Sequence, residues 1–315
     1  MSVCIPLLAP APTPVPEKLQ EPPGAVLARF FELRGRRIVK ACGALWYSAP
    51  GRFLMSLPYQ TMIDPDPSEL TGTIREVRAA GARFPSLRWD GLESGMYVIR
   101  RRKYEFASVH VKHRPRVRRG QQSFEIRLAE KSELLEQGCA LNLSTMARQD
   151  RYDSEFGEPR GWQRLVEAGF ACPGVSFPAA FVGSRLAAFM VTCRDGDWLH
   201  ILHQMSRQED LPNFPNHVLT YTVTAQALAD KAVEAVCYGY VPLFAADGLH
   251  EYKLRFGYEL VPHRSAIQLH PLLDTVLDGP VARSVLRAAR RLRRQDQTLE
   301  TLQTVLEGAR CSGRP

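Results

Sequence analysis

A handful of polar clusters in this sequence have the residue types and spacing to do chemistry. His217 stands at the start of a stretch with helical spacing. A neutral imidazole there suits removing a proton from an ammonium near pH 7, and it serves equally well as a cap bound to backbone groups. Asn216, just before it, is expected as the helix N-cap. Tyr221, one turn on, either lines a pocket or packs in the core. Asp153, Glu155 and Glu158 fall between two expected helices. Carboxylates there can bind an accepting ammonium, take its proton, or form a polar surface loop. In the segment Gly248–Gly257, Tyr252 and Phe256 share one side of a short helix at i,i+4 and are expected to pack on a sheet. Lys253 then points elsewhere, toward a cleft or out from the helix surface.

Other chemistries lack their residues. There is no HExxH, Walker A, GxGxxG or GxSxG pattern. His200 and His203 are spaced to face opposite sides of a strand, with no Cys, Asp or Glu at matched spacing, so no metal site is expected. None of the seven cysteines stands beside a histidine partner, and none forms a CxxC pair. Covalent cysteine catalysis is not expected, and a reducing cytoplasm is the expected location. No metal or redox cofactor is called for.

The elements that must hold these residues follow from pattern. Seven prolines lie between Pro6 and Pro23, giving a flexible or polyproline-like leader over 1–24. Short apolar runs between Ile38 and Ile63, a helix over Ser68–Ala80 capped by Ser68, and a strand at Met96–Arg100 make up a first α/β half over 25–105. A strand at Phe124–Leu128 and helices at Ser132–Met146 and Pro159–Ala168 come next. Strands at Phe177–Val182, Leu186–Cys193 and Trp198–His203 follow, the last after the Asp195-Gly196 turn. A helix from about His217, a strand at Val236–Tyr240 and a helix at Gly248–Phe256 then lead to a last pair of strands, Tyr258–Val261 and Ser265–Leu269. This order implies a mixed α/β sheet flanked by helices over 106–271. A basic helical extension over 272–315 has an arginine-rich segment at Val281–Arg294 and a second segment at Leu299–Ala309.

The chain has 315 residues, 41 Lys+Arg against 33 Asp+Glu and a net charge of +8, with 45% hydrophobic residues. That composition excludes a mainly disordered chain or a disulfide-built mini-protein, and no apolar run is long enough for a membrane helix. The positive charge concentrates between Arg100 and Arg119, where only Glu105 opposes it. Arg102, Lys112, Arg114, Arg116, Arg118 and Arg119 either contact the phosphates of a polyanion or form a solvated loop or strand edge. The arginines of 283–294 read as the wet face of an amphipathic helix or as a second nucleic-acid contact.

Four segments carry a resemblance: KHRPRVR at 112–118, YDSEFGEP at 152–159, FPNHVLTY at 214–221 and GLHEYKLRFGY at 248–258. A Pro-Asn-His step opening a helix, followed by GLxxYKxxFG after a short strand, is the more specific part. On these residues, Phe106–Leu260 resembles the Fem-type (FemAB-like) branch of the GNAT-like acyltransferase superfamily, with a weaker likeness at Ala44–Tyr59. The resemblance implies an α/β GNAT-like mixed sheet flanked by helices, in two GNAT-like halves. It also implies transfer of an aminoacyl or acyl group to an amine.

Within that resemblance, Lys253 is expected near the donor's carbonyl or phosphate, where its charge steadies a developing oxyanion. His217 and Asp153 are the other catalytic candidates, with Asn216, Tyr221, Tyr252 and Glu155 binding substrate. The segment Gln204–Asn216 (QMSRQEDLPNFPN) has no glycine and two prolines, poor material for a diphosphate-binding loop. An aminoacyl-tRNA is therefore the expected donor and an amine-bearing small molecule or peptide the acceptor. An acyl-CoA-dependent N-acyltransferase and a non-catalytic RNA-binding or interaction protein are the alternatives.

Overall fold

The computed structural model describes residues 21–100, 103–241 and 247–278. Arg102 and the segments expected to be helical at 281–294 and 299–309 lie outside the described residues. In chain order the elements begin with α1 (Ala25–Leu33), β1 (Ile38–Ala41), β2 (Ala44–Ala49), β3 (Phe53–Leu57), α2 (Pro67–Glu76), β4 (Gly81–Ser86) and β5 (Leu92–Ile99). There follow α3 (Arg114–Ser123), β6 (Glu125–Leu128), α4 (Lys131–Arg148), α5 (Ser154–Gly157), α6 (Pro159–Ala171), β7 (Val175–Ser176), β8 (Pro178–Val182), β9 (Arg185–Asp195) and β10 (Trp198–Ser206). The last are α7 (Pro215–Ala229), β11 (Ala235–Tyr240), α8 (Asp247–Arg255), β12 (Glu259–Leu269) and α9 (Pro271–Asp278).

The chain forms two compact units, and their boundaries differ from those expected at 24/25, 105/106 and 271/272. Of the described residues the smaller takes 35–96, 240–241 and 261–278; the larger takes 21–34, 97–239 and 247–260. Specific bonds explain why α1 leaves the N-terminal half. The Asp195 carboxylate accepts from the backbone amides of Gly24 (2.6 Å) and Val26 (2.9 Å), tying the start of α1 to the β9–β10 turn. At the other end of α1, Arg34 forks onto Glu155 through Nε (2.9 Å) and Nη2 (2.6 Å).

In the smaller unit, β1, β2 and β3 are antiparallel neighbours. The chain crosses through α2 and returns as β4, parallel to β3, with β12 antiparallel on the far side of β4. Its core is Trp46, Leu54, Leu70, Ile74, Phe84 and Trp89. The cap of α2 is Asp66, which accepts from the amides of Ser68 and Glu69 (2.9 Å each), not Ser68 as expected. The two strands expected at 258–261 and 265–269 are one strand, β12. Burial alternates through Pro262, His263, Arg264 and Ser265, and an exposed proline is tolerated in a strand where its missing N–H has no partner to serve.

The larger unit runs β11-β10-β9-β8-β6, with β7 also on β9. All neighbours in it are antiparallel except β10 and β11, which are joined through α7 and run parallel. Phe30, Leu141, Phe156, Trp162, Leu165 and Phe189 lie in one core formed by α1, α4, α5, α6 and the sheet. The later part of the basic stretch expected as a loop or strand edge, Arg114–Arg119, is helical and lies in α3. Pro115 is tolerated in the first turn of α3, and Val117 and Gly120 supply its buried side.

Gly120 sets how closely α3 approaches α7. A Cβ there would lie 2.8 Å from Val218 Cβ and 3.0 Å from the Phe214 carbonyl oxygen, too close for any side chain. Gly120→Ala is expected to lower unfolding free energy by about 1–3 kcal/mol in urea denaturation, despite alanine's better helix propensity. An unchanged or raised stability would contradict this packing.

Candidate functional site

The parallel strands β10 and β11 pair at only three registers, Trp198↔Ala235, Leu199↔Val236 and His200↔Cys237. The register of β10 on β9 slips between Ile201 and His203, so β10 bulges at Leu202. Past that point the two strands carry no further pairs, and side chains bridge the wedge instead. The Tyr238 hydroxyl donates to Gln204 Oε1. The Gln204 amide donates to the Asn216 carbonyl (3.1 Å), which also accepts from the Tyr252 hydroxyl (2.9 Å). Tyr252 shares a 2.8 Å bond with Thr220, itself fully buried on α7. The wedge is thus closed by a ladder of neutral polar groups, with Gln204 as its centre.

Lys253 stands at the β11 side of this ladder. Its side chain is buried, the residue being 5% exposed. The amine donates to the Tyr238 carbonyl (2.7 Å) and lies 4.2 Å and 4.6 Å from the ring centroids of Tyr97 and Tyr238. Tyr97 shares a 2.8 Å bond with His250 Nδ1. Among the described residues no carboxylate pairs with Lys253. Burial pushes its pKa down to about 8, because a charge taken from water loses its hydration. One carbonyl and two π faces offset part of that loss. The side chain thus points inward against β11, and not out from the helix surface.

The N-terminus of α7 differs from expectation. Its N-cap is Phe214, in the left-handed region at φ 62°, and Pro215 opens the helix. Asn216 is therefore inside the first turn. Its amide nitrogen donates to Ser206 Oγ (3.0 Å), while its Oδ1 is buried without a partner. His217 packs edge-on against His113 (4.7 Å) and Tyr252 (5.1 Å), and its Nε2 is buried without a partner. Burial, with the nearby His113 and Arg116, pushes its pKa down to about 3, so it is neutral at physiological pH and a weak base toward an ammonium. Tyr221 stacks among Tyr104 and Phe106 (6.1 and 5.7 Å).

The acidic candidates have structural employment. Asp153 caps α5, accepting from the Glu155 amide (2.9 Å). Glu155 is held by Arg34, whose side chain is 4% exposed.

The basic face is α3. Lys112, Arg116, Arg118 and Arg119 are exposed, while Arg114 is spent on the carbonyls of Val109 and Ala107 (2.7 Å each). Arg116 and Arg119 flank the Phe214 ring (5.6 and 6.0 Å), and Arg119 also donates to Asn213 Oδ1 (3.0 Å). None of these five bases pairs with a carboxylate among the described residues. Arg116 and Arg119 rim the loop between β10 and α7. That loop's amides are largely consumed internally. Arg207, Gln208, Leu211, Asn213, Phe214 and His217 bond to Ala187, Ser144, Gln208, Asp210, Leu211 and Phe214 respectively.

Pattern reading missed Gln204, Thr220, Tyr97, Tyr238, His250 and His113. The two tyrosines and Gln204 meet only through strand order, which no local spacing encodes. His113 lay inside the quoted 112–118 motif, where its charged neighbours drew attention away from it.

No family model and no curated protein matches the chain. Solved structures do. FemX aligns with a TM-score of 0.54 at 11% identity, over 81% of this chain and 94% of that one. The C-terminal domain (DUF2156) of a protein provisionally named as a lysylphosphatidylglycerol synthetase, from Agrobacterium fabrum, gives 0.56 at 12% identity over 81% and 92%. L-PGS from Bacillus licheniformis gives 0.50 at 12% over 77% and 87%. At such identities the likeness shows the fold: a GNAT-like mixed sheet flanked by helices, shared with FemX. No helix among the described residues is long and apolar enough to cross a membrane.

Lys253 makes stability pH-dependent. Below about pH 8 the amine is protonated in both folded and unfolded chains, and the full cost of burying the charge is present. Between about 8 and its ordinary value of 10.5, the unfolded chain holds more protons, so this group's penalty shrinks as pH rises. Lys253→Met is expected to match or exceed the parent's stability below pH 8. That advantage should narrow toward pH 10 in urea denaturation. A difference that stays constant across this window would contradict the burial argument.

Proposed function

We propose that this protein transfers an aminoacyl group from a charged tRNA to the amine of a small molecule or peptide, forming an amide. The observation that carries this reading is the buried ammonium of Lys253, with no carboxylate partner among the described residues, beside the wedge of two parting parallel strands. In this reading such a charge steadies an oxyanion once the Gln204–Tyr238–Tyr252 ladder parts to admit the donor.

In the proposed step, the neutral acceptor amine attacks the ester carbonyl of the donor. A C–N bond forms and negative charge gathers on the carbonyl oxygen, facing Lys253. Collapse breaks the bond to the ribose oxygen, and the proton released by the amine nitrogen goes to that oxygen. Asn216 and Tyr252, bonded to one another, shape the wedge floor, and Tyr221, which packs against Tyr104 and Phe106, is taken to border the substrate path from α7. A direct base role for His217 is disfavoured by its neutrality, and its role in this reading is to position Tyr252. Asp153 and Glu155 act from α5 as supports for the fold around the site.

Two features favour tRNA over acyl-CoA as donor. The exposed bases of α3 present positive charge without carboxylate partners among the described residues, suited to phosphates. The loop before α7 has few amides left to wrap a diphosphate. The name of the Agrobacterium fabrum relative joins a lysyl group to a lipid, in keeping with aminoacyl chemistry on this fold. The reading also takes the two units as two GNAT-like halves. It draws support from their shared plan, an antiparallel pair followed by a crossover to a parallel strand that pairs over three registers in each.

The test is a transfer assay with a charged-tRNA pool and an acyl-CoA pool against candidate amines, read by mass spectrometry. Amide product from the tRNA pool, lost when the donor is treated with RNase, is expected. Product that survives RNase, or forms from acyl-CoA alone, would overturn the donor assignment. Lys253→Met should lower kcat/KM by about 10²–10³, and the parent's rate should fall as pH rises past about 8. Replacing Arg116 and Arg119 with glutamine should raise KM for tRNA and flatten its salt dependence by roughly one unit of slope per lost phosphate contact.

A further inference from the structure

The proposed transfer needs a carrier for one more proton. An acceptor amine meets the protein as an ammonium and attacks only after a proton has left its nitrogen. Lys253 is itself positive and cannot take that proton, Asp153 caps α5, and Glu155 is held by Arg34. Burial pushes His113 and His200 down to about 4 and His203 and His217 down to about 3, too weakly basic to hold a proton near neutral pH. His110 is spent at the start of α3, where its Nδ1 accepts from the Lys112 amide (3.2 Å). Of the larger unit's histidines, that leaves His250. It lies on α8 three residues before Lys253, so the two share a helix face. Its Nδ1 shares a 2.8 Å bond with the Tyr97 hydroxyl. Tyr97 is fully buried, and its ring centroid lies 4.2 Å from the Lys253 amine. One phenol thus touches both groups, with its face to the ammonium and its hydroxyl to the imidazole.

His250 itself is half-buried, and among the described residues its Nε2 has no partner and is not sealed from solvent. The titratable side chains around it among the described residues are Tyr97 of β5, Lys253 of α8 and, beyond Lys253, Tyr238 of β11; Glu251, its neighbour on α8, is paired with Arg255. In the tautomer whose Nδ1–H donates to Tyr97 Oη, Nε2 carries the free lone pair, and the phenol fixes the ring that presents it. We propose that His250 is the general base of the transfer, taking a proton from the acceptor ammonium at Nε2 while Tyr97 orients its ring. The inference rests on the transfer reading above. One N–H bond of the ammonium breaks, its electron pair stays on the nitrogen as the nucleophile, and the proton makes an imidazolium that still donates to Tyr97. After the amide has formed, the imidazolium returns that proton to water at its exposed edge. The positive charge of Lys253 assists, because an ammonium beside it gives up a proton more readily.

The test uses the full chain with charged tRNA as donor and two acceptor probes: methylamine, an ammonium at neutral pH, and hydroxylamine, which is mostly neutral there. Product is read by mass spectrometry over about pH 5–8, with enzyme-free blanks subtracted. His250→Gln keeps a hydrogen-bonding group for Tyr97 but is not a base. It should lower kcat/KM for methylamine by about 10²-fold or more, and for hydroxylamine by far less, since no ammonium then has to be discharged. Tyr97→Phe, which keeps the ring against Lys253, should show the same bias to a smaller degree, and it serves instead if His250→Gln does not fold. Glu251→Gln, beside His250 on α8, should match the parent with both probes. An equal loss with the two probes, or none, in His250→Gln or its Tyr97→Phe substitute would overturn the inference and leave the transfer reading standing. So would a parent that uses hydroxylamine but not methylamine. No product from the parent with either probe would overturn the transfer reading, and this inference with it.

Discussion

A positive charge that is out of water and has no carboxylate beside it among the described residues is the constraint on which the chemistry proposed for the larger unit depends. Lys253 is held by a single carbonyl and two aromatic faces, an arrangement that tolerates an ammonium without neutralising it. A carboxylate in the same place would have made a stable ion pair and left nothing for a substrate. The depressed pKa, about 8, is the thermodynamic trace of that choice. It leaves the amine mostly charged near neutrality and able to respond to negative charge arriving on a ligand.

Everything around the amine serves its position. The Tyr238 residue contributes its carbonyl to Lys253 and its hydroxyl to Gln204, so one strand residue couples the charge to the wedge. Gln204 and Tyr252 then converge on the Asn216 carbonyl at the first turn of α7. The left-handed Phe214 that starts this helix is flanked by Arg116 and Arg119 of α3, and Gly120 lets α3 lie close enough to do so. Strand divergence, helix start and basic face are therefore linked through a few side chains within one unit.

Elements with a strong local signal were readable from sequence. α7 and α8 were bounded by the Pro-Asn-His step and Gly257, and the β9–β10 hairpin by Asp195-Gly196. α3 escaped because only Val117 and Gly120 face inward from a run of arginines, leaving no apolar stripe to detect. β12 was split because Pro262-His263-Arg264 looks like a connection, whereas its alternating burial is visible only against β4. The residue type of Asn216 favours the cap role, but Phe214 occupies the left-handed position one residue before Pro215. Lys253 and Tyr252 were found through a local motif. Their partners Tyr97, Gln204 and Tyr238 were not, because strand order, not sequence distance, brings them together. Glu155 looked available for substrate until α1 supplied Arg34 from more than a hundred residues away.

The central claim concerns the ionisation of one amine, and it can be read directly. Protein carrying ¹³C-labelled lysine, titrated by NMR with Lys253→Met to assign the signal, reports the Lys253 Cε shift against pH. The account predicts a midpoint near 8, well separated from the other lysines. A midpoint at or above 10 would mean that the amine is solvated or paired, and would contradict it.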